Sequence, residues 1–140
     1  MIKQTIYDFK ASVPTSGSET LNRNIPTSPS SIKLAQFGLY VPAQADFVQL
    51  HATVGVRATA LNPTVLFKVF RDTGVIFSTR HSLDLDLFDL QTVSFQVIDD
   101  NPPAGAYSYY ITAELDESIF LDSASVVGPI TFTGYSIGKV

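Results

Sequence analysis

The stretch that decides the fold spans residues 63–80 and reads Pro-Thr-Val-Leu-Phe-Lys-Val-Phe-Arg-Asp-Thr-Gly-Val-Ile-Phe-Ser-Thr-Arg. Two runs rich in β-branched and aromatic residues flank Asp72-Thr73-Gly74, which is typical of two strands joined by a turn. We expect Gly74 to take the positive φ of a three-residue loop and the Asp72 side chain to bond to its own turn. Since strand side chains alternate and both faces carry apolar groups, this β-hairpin should lie inside a sandwich or at a subunit contact.

From residue 32 onward the chain repeats this strand-and-turn pattern. Residues 47–60 alternate apolar and polar side chains as a half-buried strand does, and Gly134 in the last run allows a bulge or a close approach. Regular strand spacing without an amphipathic helix predicts an all-β fold, an eight-stranded antiparallel jelly-roll sandwich with an extended N-terminal arm. The predicted strands and hairpin lie at 32–41, 47–60, 63–80, 83–90, 92–98, 107–115, 119–127 and 130–137.

The first 31 residues differ from the rest. Residues 1–13 alternate weakly, which predicts a short strand, and residues 14–31 are rich in Ser, Thr, Pro and Asn, as linkers and extended arms are. We therefore divide the chain into an N-terminal strand and arm, 1–31, and a jelly-roll domain, 32–140. The strand either pairs with its own domain or adds to the sheet edge of a neighbour. The candidate self-assembly residues are Ile2, Ile6, Tyr7 and Phe9.

Composition excludes several classes of function. Charged residues make up only 16% of the 140 residues, against about a quarter in typical domains, which fits equally a surface hidden against other copies or partners and a compact, low-charge monomer. The net charge is −4 with scattered Lys and Arg, so no nucleic-acid partner is expected. The absence of cysteine excludes disulfides and thiolate chemistry. We expect no membrane span and no signal peptide in this chain, because no apolar run is long enough.

Two acidic motifs invite a chemical interpretation. The Asp72-Thr73-Gly74 triplet matches that of aspartic proteases, but the flanking strands make it a hairpin tip. Asp84 and Asp86 fall on one face of an extended chain and are weak candidates for holding Ca²⁺, although an exposed polar face is the favoured interpretation. His51 and His81 show no metal-ligand pattern. We expect no enzyme, no catalytic residue and no cofactor.

An aromatic run, Tyr107-Ser108-Tyr109-Tyr110, leaves one alternative open. Aromatic residues are strong strand formers, which favours packing in the core or at an interface. They also stack on sugars, so a carbohydrate- or receptor-binding head that uses Tyr109 or Tyr110 is the second hypothesis.

Four further stretches stand out in the strands and turns: Val-Gln-Leu-His-Ala-Thr-Val-Gly at 48–55, Thr-Val-Leu-Phe-Lys-Val-Phe-Arg-Asp at 64–72, Ile-Asp-Asp-Asn-Pro-Pro-Ala-Gly at 98–105 and Val-Gly-Pro-Ile-Thr-Phe-Thr-Gly at 127–134. In these stretches the chain resembles a family of small Bacillus-type spore proteins, the exosporium protein C family. The ending Phe132-Thr133-Gly134-Tyr135 is also similar to the last strand of C1q- and TNF-like jelly rolls, which commonly trimerise.

The resemblance implies a non-enzymatic structural subunit of the spore surface, in the exosporium, or of an extracellular layer. Its partners would be copies of itself, in a trimer or filament, and other spore-surface proteins. Spore coats are built from inside the mother cell, so such a subunit needs no secretory signal. A head-to-tail contact that does not close would convert a trimer-forming body into a filament.

Overall fold

A computed structural model describes residues 3–84, 90–116 and 122–139. These residues form strands and connections without any helix, so none of them belongs to a helix that could cross a membrane. The strands are β1 (Gln4–Thr15), β2 (Arg23–Asn24), β3 (Ile32–Val41), β4 (Ala45–Ala60), β5 (Thr64–Arg71), β6 (Gly74–Ser82), β7 (Gln91–Asp100), β8 (Gly105–Leu115) and β9 (Ser123–Lys139).

The strands form two antiparallel sheets that face each other. The first sheet has the order β1-β9-β4-β7, with the short β2 also on β9, and the second has the order β3-β8-β5-β6. The chain passes between the sheets at every connection except β1 to β2 and β5 to β6, which is the winding of a jelly roll. The predicted all-β jelly-roll sandwich of eight principal strands is confirmed.

The core forms where the inner faces of the two sheets meet. Strand alternation turns one apolar side chain in two toward the other sheet, and Phe37 lies against Phe132 with ring centroids 4.7 Å apart. A Cβ atom added at Gly134 would lie 2.6 Å from Leu50 Cδ2, so the glycine makes room for the packing of Leu50 and Phe37. Of the two predicted uses of Gly134, the structure has the close approach, since its pairing with Leu50 and Lys10 is unbroken.

The predicted hairpin is present, but its turn differs from the prediction. Arg71 pairs with Gly74, so the loop contains two residues, and the positive φ of 53° belongs to Asp72. Asp72 does not bond within its own turn. Its Oδ1 accepts the backbone N–H of Ser108 on β8 at 2.9 Å, and its own N–H donates to the Ser108 carbonyl at 2.7 Å. Aspartate tolerates the left-handed region, and the neighbouring strand supplies the partners.

The segment from Gln4 to Thr27 pairs with strands of both sheets. β1 pairs antiparallel with β9 of the same chain, from Gln4 opposite Lys139 to Thr15 opposite Ile130. The polar segment that follows crosses to the second sheet, where Leu115 donates to the carbonyl of Pro26 at 2.8 Å. β1 thus completes the eight strands, whereas the sequence places it in an arm outside the jelly-roll domain. Exchange of this strand between copies stays a prediction.

The last strand is longer than predicted. The runs at 119–127 and 130–137 were expected to be separate strands, but β9 continues through Gly128 and Pro129. A Cβ atom at Gly55 of β4 would lie 1.8 Å from the Gly128 carbonyl oxygen, and Gly128 has a φ of 93°. The close approach of these two glycines carries the strand past a dipeptide that usually ends one. Most of the strand predicted at 83–90 falls outside the described residues.

Candidate self-assembly surface

The edge strand β1 exposes large apolar side chains. Ile6, Phe9 and Val13 are 56%, 57% and 50% exposed, although β1 belongs to the first sheet. Ile6 pairs with Ile137 and Phe9 with Tyr135, so both lie beside half-buried apolar side chains of β9 on the outer face. We call this set the β1 patch, and it consists of Ile6, Phe9, Tyr135 and Ile137; Val13 is exposed further along the same strand. Exposed apolar groups that cluster in this way mark interaction sites.

The structure separates the four predicted self-assembly residues. Ile6 and Phe9 lie on the exposed face, whereas Tyr7 falls in a register shift between Ile6 and Asp8. Tyr7 packs against the core and its hydroxyl donates to the Lys139 carbonyl at 3.0 Å, so it is held within the chain. Ile2 lies outside the described residues. Val13 was not among the predicted contacts because Pro14 and the polar residues after it indicate that the strand ends at this position.

Asp8 ties the β1 edge to the second sheet. Its Oδ2 accepts the backbone N–H of Tyr40 on β3 at 2.9 Å, while Oδ1 accepts that of Phe9 at 3.0 Å. This hydrogen bond links β1, the edge of the first sheet, to β3, the edge of the second, where Tyr40 is exposed.

A polar and aromatic cluster lies on the outer face of the first sheet. The Tyr135 hydroxyl donates to Gln49 Oε1 at 2.7 Å, and Gln49 Nε2 lies 3.2 Å from His51 Nε2. The rings of His51 and Tyr135 are stacked with centroids 6.4 Å apart. An open pocket of about 310 Å³ adjoins this cluster, with Thr53, Ser94 and Gln96 in its lining. Amides, hydroxyls and rings on an open sheet face are groups that can bind a sugar.

A buried polar network joins the sheets at the hairpin end. Arg71 Nη1 lies 2.9 and 2.8 Å from the carboxylate oxygens of Asp99, and the Tyr109 hydroxyl donates to Asp99 Oδ2 at 2.8 Å. Burial raises the pKa of Tyr109 well above its usual range, and the hydrogen bond to Asp99 adds to the effect. Burial alone would lower the pKa of Arg71, but the hydrogen bond and charge of Asp99 raise it. Arg71 and Tyr109 both bind Asp99, so the carboxylate has a partner on each of two strands of the second sheet.

This network changes the interpretation of the aromatic run. Tyr109 is fully buried, so it cannot stack on a sugar as the second hypothesis requires. Tyr110 faces outward from the second sheet, stacked on Phe70 at 4.7 Å with Lys33 Nζ 4.3 Å from its ring. The sequence shows Asp99 only as part of a turn, because its partners come from two other strands.

The acidic and histidine candidates are dispersed. Asp84 is exposed, and Asp86 lies outside the described residues, so the weak Ca²⁺ prediction stays a prediction. His51 is on β4 of the first sheet and His81 on β6 of the second, where its Nε2 lies 2.8 Å from Gln91 Oε1. Across residues 3–84, 90–116 and 122–139, no group of three or more His, Asp or Glu side chains is placed to hold a metal ion.

Comparison with known proteins shows the fold alone. No family model and no curated protein matches the chain. A chain of the T13 IBDV viral particle is similar with a TM-score of 0.55 at 10% identity, over 94% of this chain and 36% of that one. Infectious bursal virus derived T=1 particles give 0.51 at 10% identity, over 98% and 37%. Dimeric latent PorU from Porphyromonas gingivalis gives 0.50 at 9%, over 96% and 13%. This chain thus spans well under half the length of each.

Proposed function

We propose that this protein is a non-enzymatic structural subunit that assembles with copies of itself, at the spore surface in the exosporium or in an extracellular layer. The observation that carries the proposal is the β1 patch, where Ile6 and Phe9 are more than half exposed on an edge strand. Burying apolar surface between copies contributes about 25 cal/mol per Å², and this is the driving force for association. The low charge fraction of 16% supports it, because few side chains would lose hydration at the contact.

The similarity to chains of viral particles is consistent with this role. A jelly roll places its strand edges and outer sheet faces at the surface, and such faces pack readily between subunits. The location at the spore surface rests on the resemblance of the sequence stretches to the exosporium protein C family.

The first test removes the exposed apolar groups without touching the core. The variant Ile6→Ser with Phe9→Ser should fold as the parent does and should lose most of its assembly, measured by light scattering and negative-stain electron microscopy. Val75→Ser is the matched control, since Val75 is 52% exposed on the second sheet. Equal assembly by the double variant and the parent would remove the proposal.

A second test asks whether β1 is exchanged between copies. Ala11 pairs with Thr133, next to the Phe9–Tyr135 pair on the same sheet face, and the sequence has no cysteine, so a disulfide between Ala11→Cys and Thr133→Cys shows whether this pairing forms within one chain or between two. An exchanged strand would give covalent multimers on a non-reducing gel, because the same pairing would form between neighbours. A strand kept within its own chain would give cross-linked monomers, and assembly would then depend on the β1 patch without exchange. The two single-cysteine variants control for chance cross-links.

The cluster of Tyr135, Gln49 and His51 favours a second candidate function, a carbohydrate- or receptor-binding head. Here the bound sugar would occupy the open pocket beside His51 on the first sheet. A glycan array should then show binding that His51→Ala abolishes and Tyr110→Ala keeps, since Tyr110 lies on the other sheet. If no glycan binds the parent chain, this candidate is eliminated.

A further inference from the structure

The four sheet edges are not equally protected against pairing with another strand. Proteins block such edges with lysine, proline, other charges and irregular pairing. β1 carries Lys10 and Pro14 and has two register shifts. β3 carries Lys33 at a register shift. β6 carries Arg80 and meets β5 across a shift.

The edge strand β7 has none of these devices along most of its length. Its pairing with β4 is regular from Phe47 opposite Asp100 to Val56 opposite Gln91. Residues 91–98 contain no charged residue, proline or glycine. Within the part of the chain that the structure describes, β4 is the only strand paired with β7. Among the described residues, therefore, no strand pairs with its second row of backbone groups, which is the kind of edge that another strand can join.

The side chains of β7 suit both faces of a continued sheet. Toward the core, Val93 and Val97 are buried and the half-buried Phe95 stacks on Phe77 at 5.5 Å. On the outer face, Ser94 and Gln96 are exposed, and Ile98 is 49% exposed. A strand added here would bury more of Phe95 while leaving the polar row in water.

We infer that β7 pairs antiparallel with β7 of a second copy, so that the first sheet continues across two molecules. The charges of the strand favour this arrangement: Asp99 and Asp100 lie at one end, and the rest of the strand is neutral. A parallel pair would bring the two exposed Asp100 carboxylates together, whereas an antiparallel pair separates them by the length of the strand. The inference shares with the proposed function only the premise that copies associate, because it uses the opposite edge of the sheet from the β1 patch.

The two-fold axis should pass midway between the Phe95 residues of the two copies. A two-fold axis perpendicular to the sheet relates the two strands of an antiparallel pair, so it passes midway between one residue and the same residue of the other copy. Phe95 lies near the middle of the uncharged residues 91–98 and is their only aromatic side chain. With this register, Phe95 meets Phe95 of the second copy, Val93 meets its Val97, and Ser94 meets its Gln96.

The opposition of Ser94 and Gln96 allows a charge-swap test. It is done in the Ile6→Ser, Phe9→Ser background, so that only the β7 contact remains. Adding Ser94→Lys with Gln96→Lys puts lysines opposite each other twice, and sedimentation velocity should show the dimer dissociation constant raised about tenfold or more. Ser94→Lys with Gln96→Glu makes two opposite-charge pairs instead, and the dimer should persist. Matching circular dichroism and melting temperatures check that both variants are folded.

Two results would overturn the inference. The first is a dimer dissociation constant that is the same for the double-lysine variant and for its background. The second is a lysine–glutamate variant whose dimer is weakened as much as that of the double-lysine variant, because the sign of the opposed charges would then have no effect. If the parent chain assembles but the Ile6→Ser, Phe9→Ser variant stays monomeric, the β7 contact is wrong and the proposed function still holds. A parent chain that is itself monomeric at every concentration removes both.

Discussion

The Tyr109 hydroxyl donates a hydrogen bond to Asp99 Oδ2 at 2.8 Å across the interior between the two sheets. Asp99 is on β7 of the first sheet and Tyr109 on β8 of the second, and Arg71 on β5 supplies the opposite charge. Asp99 is only 7% exposed, so the carboxylate depends on these two donors in place of water. The two halves of the sandwich are thus joined by a polar contact as well as by apolar packing.

Replacing Asp99 should be costly because Arg71 would lose its partner. We expect Asp99→Asn to lower the free energy of unfolding by about 2 to 3 kcal/mol, the range for a hydrogen bond to a charged group. Urea denaturation measures the loss. Asp100→Asn is the matched control, since Asp100 is the next residue and is exposed. Equal losses in the two variants would show that the buried pair adds nothing.

Tyr109 should make the fold sensitive to alkali. Its pKa is raised in the folded chain, so the folded state holds this proton more tightly than the unfolded state does. The stabilisation is complete below the unfolded pKa of about 10 and is lost as the pH rises above it. The parent should therefore lose stability between pH 9 and 11 more steeply than Tyr109→Phe, by urea denaturation at each pH. Parallel curves for the two chains would contradict this.

The close approach of Gly55 and Gly128 predicts a large effect from a single methyl group. Gly55→Ala would place a carbon 1.8 Å from a backbone oxygen, and β4 and β9 would have to separate. We expect a loss of about 3 kcal/mol or more. Gly38→Ala is the control, because the nearest atom to its new carbon is 3.9 Å away, and it should be neutral or stabilising by about 0.5 kcal/mol. Thermal melting followed by circular dichroism distinguishes the two variants.

The hairpin turn gives a prediction about Asp72. Asn keeps a side-chain oxygen that can accept the Ser108 N–H and tolerates a positive φ, so Asp72→Asn should change stability by less than about 0.5 kcal/mol. Asp72→Ala loses the hydrogen bond and strains the backbone at a φ of 53°, which should cost about 1 to 2 kcal/mol. Chemical denaturation tests the difference. An equal loss in both variants would mean that the charge of Asp72, rather than its oxygen and its φ, is what matters.

The parts of the fold that could be predicted are those that depend on the alternation of apolar and polar residues along a short stretch of sequence. The alternation at 47–60 gave β4, and the two apolar runs around Asp72 gave the hairpin, because strand faces repeat every second residue. Ile6 and Phe9 could be chosen as candidate contacts since they are apolar residues of a strand ahead of a polar segment. Tyr7 could not be separated from them, because a register shift against β9 turns it inward.

What the sequence concealed depends on residues far apart along the chain. Gly128 and Pro129 look like the end of a strand, and only Gly55 on β4 lets β9 continue past them. Asp99 looks like a turn residue until Arg71 and Tyr109 meet it from the other sheet. The strand propensity of a short stretch cannot predict such contacts, because they depend on which strands are neighbours in the fold.

The pairing of Gln4 with Lys139 places the beginning of β1 beside the end of β9. A peptide or reporter domain fused near either position would leave the molecule from the same corner. A short flexible link between these two residues would close the backbone into a ring, and fresh ends could be opened at the Asp72-Thr73 turn. In such a circularly permuted molecule β1 would be an internal strand, directly connected to the end of β9.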